Sequence, residues 1–494
     1  MIVAAEVSRF VTLESVATDG DVIGVGAGAG LGDRDPRCVT HVVDGTSLQF
    51  AGQLVRYSPS VTAPELSPSA RPPKFVRPLV DFLHREASAG ILLVIAAVIA
   101  IAWANSPWSG SYDNIWNTHF TVDLGGRVLE LSLREWVNDL AMVLFFFVAG
   151  LEIKRELTHG ELRDPRQAAL PIIGAFGGMV VPALIYAIVN AGGDGSRGWG
   201  IPMATDIAIV MGVVAMLGTR APSWAKLFLL ALAIVDDIGA IVVIAIFYSE
   251  GVSFVWLAVA GLALAVAIVI RSRVPWIGAY LALGAICWFA LHQASIHPTL
   301  AGVAFGLASP VTPTRSRVLI DESAMQDQSG FSAAWEVSRQ ARATVSVVEW
   351  LQNRLHPWSA FVVVPVFALA NAGVHVEISE LGGMVSNPVT WGVILGLVVG
   401  KTVGISLATL IAVKLRIGRL PRGVTPRYVI GAAALGGIGF TVSLFVTELA
   451  FGESILGEDA RLGVLVASIL AGVIGTALMV PGHVPTADDD MLES

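Results

Sequence analysis

The sequence predicts an all-α polytopic membrane protein, and three observations support this prediction. Of the 494 residues, 54% are hydrophobic and only 14% are charged, whereas ordinary soluble domains carry about 25% charged residues. The apolar residues gather in stretches of the roughly 20 residues that a helix needs to cross a bilayer. The basic residues collect at alternate connections between those stretches. No feature of this composition indicates a nucleic-acid partner.

Twelve apolar segments are candidate transmembrane helices, and the eighth and ninth of them are short. They lie near residues 88–105, 134–153, 168–190, 199–218, 226–248, 253–270, 274–291, 296–309, 358–374, 388–413, 428–449 and 460–481.

The distribution of Lys and Arg supports the count of twelve. With a cytoplasmic N-terminus, 22 of the 31 basic residues fall on the inner side, and only Arg127, Arg134, Arg197 and Arg461 fall on the outer side. Removing one span would scramble this alternation. The positive-inside rule therefore predicts twelve spans with both termini in the cytoplasm.

The predicted membrane domain covers residues 76–482 and has an extension at each end. Residues 1–75 have no signal-peptide core, and the Gly-rich stretch "GVGAGAGLGD" lacks the strand-then-helix context of a phosphate-binding loop, so a flexible extension is expected. Residues 483–494 form an acidic tail. The cytoplasmic loop 310–355 carries "AAWEVSRQARATVSVVEWLQNRL", which is either a helix on the membrane surface or, in its first half, a disordered linker.

The connection after the first span has the pattern of a β-hairpin. Residues 120–131, "FTVDLGGRVLEL", alternate apolar and polar side chains around Gly125 and Gly126. Such a hairpin on the outer side either pairs with a second copy of the chain through its exposed edge or is a plain surface feature.

Four ionisable residues interrupt the apolar segments. They are Asp206 in "GWGIPMATDIAIVMG", Asp236 and Asp237 in "ALAIVDDIGAIVVIAIF", and Lys401 in "GLVVGKTVGIS". Each costs about 2.5–3.5 kcal/mol at a helix centre on insertion scales, so such residues usually face a cavity or a partner and serve a function. Neighbouring positions on a helix lie about 100° apart, so Asp236 and Asp237 cannot face the same way.

The excess of acid over base at these positions indicates a site for small cations or protons. Carboxylate oxygens are hard ligands for small hard cations, and crowded carboxylates also take up protons readily. Competition between the two ligands, combined with alternating access, makes an exchanger. The alternative is that Asp206, Asp236 and Lys401 only hold helices together, but a structural ion pair needs one acid for each base.

Two of the candidate helices contain residues that disrupt helices. Pro202 precedes Thr205 and Asp206 in the fourth span, and "GGIGFTVS" (436–443) lies within the eleventh. Irregular backbone at membrane depth is tolerated where it is buried or lines a cavity, and the ends of half-helices carry partial charges that Asp206 and Lys401 can offset. Close helix packing is the alternative explanation for the glycines.

Charged residues also gather at the cytoplasmic end of the second span. The stretch 148–169, "VAGLEIKRELTHGELRDPRQAA", contains Glu152, Arg155 and Glu156. These residues form either a solvated helix face with i,i+4 pairs or a funnel that attracts cations and responds to pH.

These stretches, together with "VNDLAMVLFFFVAGLEIKREL", "HPTLAGV" and "LHPWSAFVVVPVFALANAG", resemble the NhaA-type sodium/proton antiporters, in order, across about residues 80–482. The resemblance implies twelve helices arranged as inverted-topology repeats, with crossed, interrupted fourth and eleventh spans. It further implies pH-regulated, electrogenic export of Na+ or Li+ in exchange for H+ across the bacterial inner membrane, for sodium and pH homeostasis. No cofactor is expected, and the 120–131 hairpin is the expected homodimer contact.

The resemblance also implies roles for individual residues. Asp237 matches the primary cation-binding carboxylate, and Asp236 matches the acid whose salt bridge to Lys401 exchanges. Thr205 and Asp206 match residues of the helix crossing. A pH response is implied for Glu152, Arg155, Glu156 and His297. The N-terminal extension, the long 310–355 loop and Pro298 after His297 depart from the family pattern.

Two other functions are open to a membrane protein with buried aspartates. A sodium-coupled symporter of organic anions would need basic or hydroxyl-rich groups around the site, and apart from Lys401 none appears in the sequence. An intramembrane aspartyl protease would need two carboxylates that face each other without a nearby amine, and the glycine-flanked aspartate motif of those proteases is absent at Asp206, Asp236 and Asp237.

Overall fold

A computed structural model describes residues 86–123, 128–160, 163–249, 251–270, 277–311, 346–375, 387–421 and 424–480. These ranges belong to a compact unit that spans Leu79–Ser494. The predicted extension 1–75, most of the loop 310–355 and the acidic tail 483–494 lie outside the described residues.

Helices make up almost all of the described chain. In chain order they are α1 (Glu86–Ala104), α2 (Ser109–Trp116), α3 (Leu133–Trp136), α4 (Met142–Thr158), α5 (Pro165–Val189), α6 (Ile207–Leu217), α7 (Ser223–Phe247), α8 (Phe254–Ile270), α9 (Ile277–Gln293), α10 (Leu300–Ala308), α11 (Val347–Trp358), α12 (Val364–Asn371), α13 (Pro388–Ile394), α14 (Lys401–Lys414), α15 (Pro426–Leu435), α16 (Phe440–Phe451) and α17 (Ile455–Met479). A 3₁₀ helix, Asp194–Met203, precedes α6.

Among the residues that the structure describes, five continuous helices are long and apolar enough to cross a membrane. They are Leu133–Thr158, Ala168–Val189, Trp224–Phe247, Pro388–Lys414 and Ile455–Met479. Three bent helix pairs bring the number of candidate spans to 8. The prediction of an all-α membrane protein is therefore confirmed, whereas the count of twelve stays a prediction.

Two of the bent pairs contain the predicted fourth and eleventh spans. The 3₁₀ helix Asp194–Met203 and α6 meet at 43°, and α15 and α16 meet at 48°. The backbone between the members of each pair is not helical, so peptide groups at membrane depth lack helical partners there.

The third bent pair is not predicted by the sequence. Helix α1 turns by 114° into the short helix α2. The turn is anchored by Tyr112, whose buried hydroxyl donates to the carbonyl of Leu369, 2.8 Å away. This contact joins residues far apart in the chain, which explains why local hydropathy does not reveal the bend.

The connection between α2 and α3 is an antiparallel hairpin, as predicted. Strand β1 (His119–Asp123) pairs with β2 (Val128–Ser132), with Phe120 opposite Leu131. Ser132 then caps α3, because its side chain accepts a hydrogen bond from the Glu135 backbone while the Glu135 carboxylate accepts one from the Ser132 backbone. The strand thus leads directly into the second span.

Three long helices contain a π-helical turn, at Val137–Ala141, Ser359–Val363 and Leu395–Gly400. The second of these turns joins α11 to α12, so one helix runs from Val347 to Asn371. The end of the predicted 310–355 loop is therefore helical, in agreement with one of the two alternatives expected for it, and the helix continues into the predicted ninth span, which begins near 358. The buried residues of α11 are Val348 and Gln352.

Candidate functional site

The four ionisable residues predicted at membrane depth are all buried. Asp236 and Lys401 have 0% of their surface exposed, Asp206 has 2% and Asp237 has 6%. Asp236 and Asp237 lie near the middle of α7, and Lys401 lies where the π-helical turn passes into α14. Burial of charge at this depth is costly unless each group has a partner, so the partners define the site.

Asp206 caps the N-terminal ends of two half-helices. One oxygen, Oδ1, accepts from the backbone nitrogen of Ile209 in its own helix α6, at 3.0 Å. The other, Oδ2, accepts from the backbone nitrogen of Thr441 in α16, at 3.0 Å, and from its hydroxyl, at 2.7 Å. Because helix N-termini carry partial positive charge, one carboxylate stabilises both interruptions at once.

Lys401 forms a buried ion pair with Asp236. Its ammonium group donates to Asp236 Oδ2 and, at 3.1 Å, to the Thr205 hydroxyl. The Thr205 oxygen also lies 2.7 Å from both Asp236 Oδ2 and the carbonyl oxygen of Gly436. Gly436 ends α15, so Lys401 and Thr205 together offset the negative end of that half-helix.

Asp237 has no comparable partner. Its Oδ1 atom and that of Asp236 are buried and accept no hydrogen bond from any residue that the structure describes. A buried carboxylate oxygen without a donor is costly. These two oxygens are therefore the atoms of the site that can gain most by taking up a proton or a cation.

Closely packed glycines set the position of Lys401. Helices α5 and α14 touch at Gly177 and Gly404, where an added methyl group on either residue would collide with the backbone oxygen of the other. Gly178 faces Ile405 and the Lys401 side chain, whose Cδ lies 3.5 Å from the position of an added Cβ. Small residues of this kind let membrane helices approach closely, and here they bring the amine to α7.

The residues expected to respond to pH form hydrogen bonds and ion pairs of their own. Glu152 accepts a hydrogen bond from Gln352 at 3.3 Å and lies 3.9 Å from His356 Nε2. Arg155 contacts its neighbour Glu156 at 3.1 Å. The structure thus joins the end of α4 to α11, and the sequence reasoning missed Gln352 because a neutral amide in a polar stretch gives no signal.

His297 forms a separate contact. Its Nε2 atom lies 3.0 Å from the carbonyl oxygen of Tyr248, which follows α7. Since a carbonyl only accepts, this nitrogen carries a proton and donates it. The same tyrosine binds the 3₁₀ segment: its hydroxyl donates to the carbonyl of Arg197 at 2.9 Å. His297 therefore contacts the C-terminal end of α7, the helix that carries Asp236 and Asp237.

A cavity of about 550 Å³ opens at the predicted cytoplasmic ends of α4 and α7. It is lined by Glu156, His159, Gly160, Arg163, Asp164, Leu227 and Leu230. Leu227 and Leu230 belong to α7, the helix that carries Asp236 and Asp237. The cavity thus borders the helix that carries the two aspartates, about two turns before Asp236.

In the part of the chain that the structure describes, no cluster of three or more His, Cys, Asp or Glu side chains could hold a metal ion. The Lys401 amine next to Asp236 also disagrees with a protease dyad, which needs two carboxylates that share a proton. Fold and site together define a multi-pass membrane protein of the cation transporter class.

Comparison with known proteins narrows this class to one family. The Na+/H+ antiporter 1 family matches residues 80–479. The chain is 46% identical over 424 residues to Na(+)/H(+) antiporter NhaA 3 of Frankia alni, covering 85% of this chain and 90% of that protein. It is 44% identical to Na(+)/H(+) antiporter NhaA of Rhodopirellula baltica, covering 82% and 94%, and 42% identical to the one of Syntrophobacter fumaroxidans, covering 81% and 90%. The chain belongs to the Na+/H+ antiporter 1 family, as the resemblance of its motifs implied.

Proposed function

We propose that this protein is a pH-regulated, electrogenic antiporter that exports Na+ or Li+ in exchange for protons across the bacterial inner membrane. The buried Asp237 carboxylate is the observation that carries the proposal, because its Oδ1 has no donor among the described residues while Asp236 beside it is paired. A cation or a proton supplies what Oδ1 lacks, and the two exclude each other. The relatives are named Na(+)/H(+) antiporters, which supports Na+ and H+ as the two substrates.

The proposed cycle uses the two neighbouring aspartates differently. Asp237 releases its proton to the inner side and binds Na+, with Asp236 as the second carboxylate. Lys401 then has to leave Asp236 or lose its own proton, because one carboxylate oxygen cannot serve both cations at full strength. Two protons enter for each cation exported if both Asp237 and the Asp236–Lys401 pair change protonation during the cycle.

The remaining assignments belong to the same proposal. The carrier consists of twelve helices related as inverted repeats, and its crossed fourth and eleventh spans meet at Thr205 and Asp206. It needs no cofactor and has both termini in the cytoplasm. Glu152, Arg155, Glu156 and His297 tune its response to pH, and the 120–131 hairpin joins two copies into a homodimer.

Proton flux in everted membrane vesicles tests the proposal. Adding Na+ to vesicles that hold a proton gradient is expected to collapse the gradient when the wild-type protein is present, and Asp237→Asn is expected to abolish this response. Asp113→Asn is the matched control, because Asp113 is a half-exposed aspartate on α2 that pairs with His375 far from the site along the chain. An unchanged response in Asp237→Asn would refute the assignment.

A further inference from the structure

Two buried arginines at the predicted outer ends of the helices each pair with a glutamate. Arg134, at the start of the second span, pairs with Glu453, and Arg461 on α17 contacts Glu448 at 2.5 Å. We propose that these two pairs, called here the outer clamp, hold the outward path shut and must separate before the aspartates are exposed to the outside. This inference rests on the proposed antiport function and adds positioning residues to it.

The outer clamp is connected to the ion site through one rigid element. Helix α16 contacts Asp206 at its N-terminal end through Thr441, and it carries Glu448 about two turns further on. Glu453 follows directly after the helix ends at Phe451. A tilt of α16 that opened the site outward would therefore pull on both glutamates.

The clamp ties α16 to two different neighbours. Arg134 belongs to the helix that continues as Leu133–Thr158, and Arg461 belongs to α17. Beneath the clamp, Phe445 of α16 packs against Phe146 of the second span, with ring centroids 5.4 Å apart. On α16, Phe445 lies between Thr441, which contacts Asp206, and Glu448 of the clamp.

The geometry is that of a contact able to open. The arginine side chains are only 8% and 5% exposed, but the Nε atom of each has no hydrogen-bond partner within the described ranges. Buried ion pairs add little net stability because desolvation opposes the attraction, and opening would let water reach both Nε atoms. Glu453 is already 51% exposed, so its pair can open with little rearrangement.

Closure by the outer clamp at the predicted outer end complements the cavity at the predicted cytoplasmic end. The cavity of about 550 Å³ lies beside α7 at the predicted cytoplasmic end, and an exchanger that is open at both ends would leak. Arg134 and Arg461 are also two of only four basic residues that the sequence places on the outer side. The positive-inside rule does not explain why these two arginines are buried against glutamates, whereas a role in closing the outer end does.

Cross-linking the clamp tests the inference. In a background of Cys38→Ser and Cys287→Ser, we would replace Arg134 and Glu453 by cysteine and join them with a bifunctional methanethiosulfonate reagent in proteoliposomes. The expected result is loss of Na+-driven proton exchange, with recovery after reduction. Each single-cysteine variant treated with the same reagent is the control. Undiminished exchange in the cross-linked protein would overturn the inference.

A second measurement does not depend on transport. Thr447→Cys places a thiol in a fully buried position of α16 next to Glu448. A membrane-impermeant thiol reagent added from outside is expected to label it faster when Glu448→Gln and Arg461→Gln remove one pair without leaving a lone charge. Unchanged labelling would contradict the clamp. Absence of exchange in the wild type would instead contradict the proposed function, and the labelling result would still decide the clamp.

Discussion

At the scale of single residues, the buried charge of Lys401 is stabilised by a single carboxylate, that of Asp236. Its ammonium group has 0% exposed surface and donates to Asp236 and Thr205. Each group of the pair stabilises the charge of the other against the cost of burial. Stability and function are therefore linked here, because any step that separates the pair must supply Lys401 with another partner or remove its proton.

Replacing Lys401 alone is expected to destabilise the protein more than replacing the pair. Lys401→Met leaves the Asp236 carboxylate buried without its counter-ion, which typically costs about 3–5 kcal/mol. The double variant Lys401→Met with Asp236→Asn removes both charges, so part of this loss is expected to be recovered. Thermal unfolding of the two variants in detergent checks the difference. Equal melting temperatures would mean that the unpaired Asp236 carboxylate does not destabilise the single variant.

Asp206 allows a second test, because it caps two helices with one side chain. Asp206→Ala removes the acceptors for Ile209 and Thr441, and each lost cap costs about 0.5–2 kcal/mol. Asp206→Asn retains one acceptor oxygen and is expected to lie between wild type and the alanine variant in unfolding temperature. If alanine and asparagine are equally destabilising, the negative charge rather than the hydrogen bonds stabilises the two ends.

The sequence predicts these residues but not all of their partners. Asp206, Asp236, Asp237 and Lys401 are conspicuous because each is a charge in an apolar run. The pairing of Arg134 with Glu453 joins residues 319 positions apart, and no local pattern encodes it. The basic residues on the outer side served only to orient the chain, so the sequence reasoning left two buried ion pairs unrecognised.

At the scale of elements, tight packing of α5 against α14 determines where Lys401 lies. Gly177 and Gly404 approach so closely that neither tolerates a Cβ without movement of the other backbone. Separation of the two helices would draw the amine away from Asp236. The glycines thus act on the ion site without touching it.

Gly177→Ala is therefore expected to lower both stability and exchange. The added methyl group meets the Gly404 carbonyl and the Ala408 side chain, and overpacking of this kind typically costs about 1–3 kcal/mol. Gly261→Ala is the matched control, since nothing lies within 4 Å of its added Cβ in α8. That variant is expected to be neutral or more stable by up to about 1 kcal/mol. Similar effects of the two substitutions on unfolding temperature and Na+-driven proton flux would contradict this explanation.

Element boundaries depend on contacts that hydropathy does not contain. The β-hairpin is predicted correctly because alternation around Gly125 and Gly126 is a local signal. A helix at the end of the 310–355 loop is one of the expected alternatives, but its contacts through Gln352 and His356 with Glu152 of α4 are not visible in the sequence. The 114° turn after α1 likewise depends on a tertiary hydrogen bond of Tyr112.

At the scale of the whole molecule, the imbalance of buried charge bears on coupling to the membrane potential. Three acids and one base at the site leave two excess negative charges when all are ionised. A proposed exchange of two protons for one Na+ moves one net positive charge inward in each cycle. The membrane potential then contributes to the driving force in addition to the proton gradient.

This argument predicts that a membrane potential alone drives Na+ movement. In proteoliposomes without a pH gradient, a potassium diffusion potential set with valinomycin, negative inside, is expected to expel Na+. One charge crossing 100 mV gains about 2.3 kcal/mol, which corresponds to a Na+ ratio of about 50 at equilibrium. Liposomes with Asp237→Asn protein are the control for leak. A Na+ distribution that does not respond to the potential would show one-for-one exchange, in which Asp237 titrates and the Asp236–Lys401 pair keeps its proton count throughout.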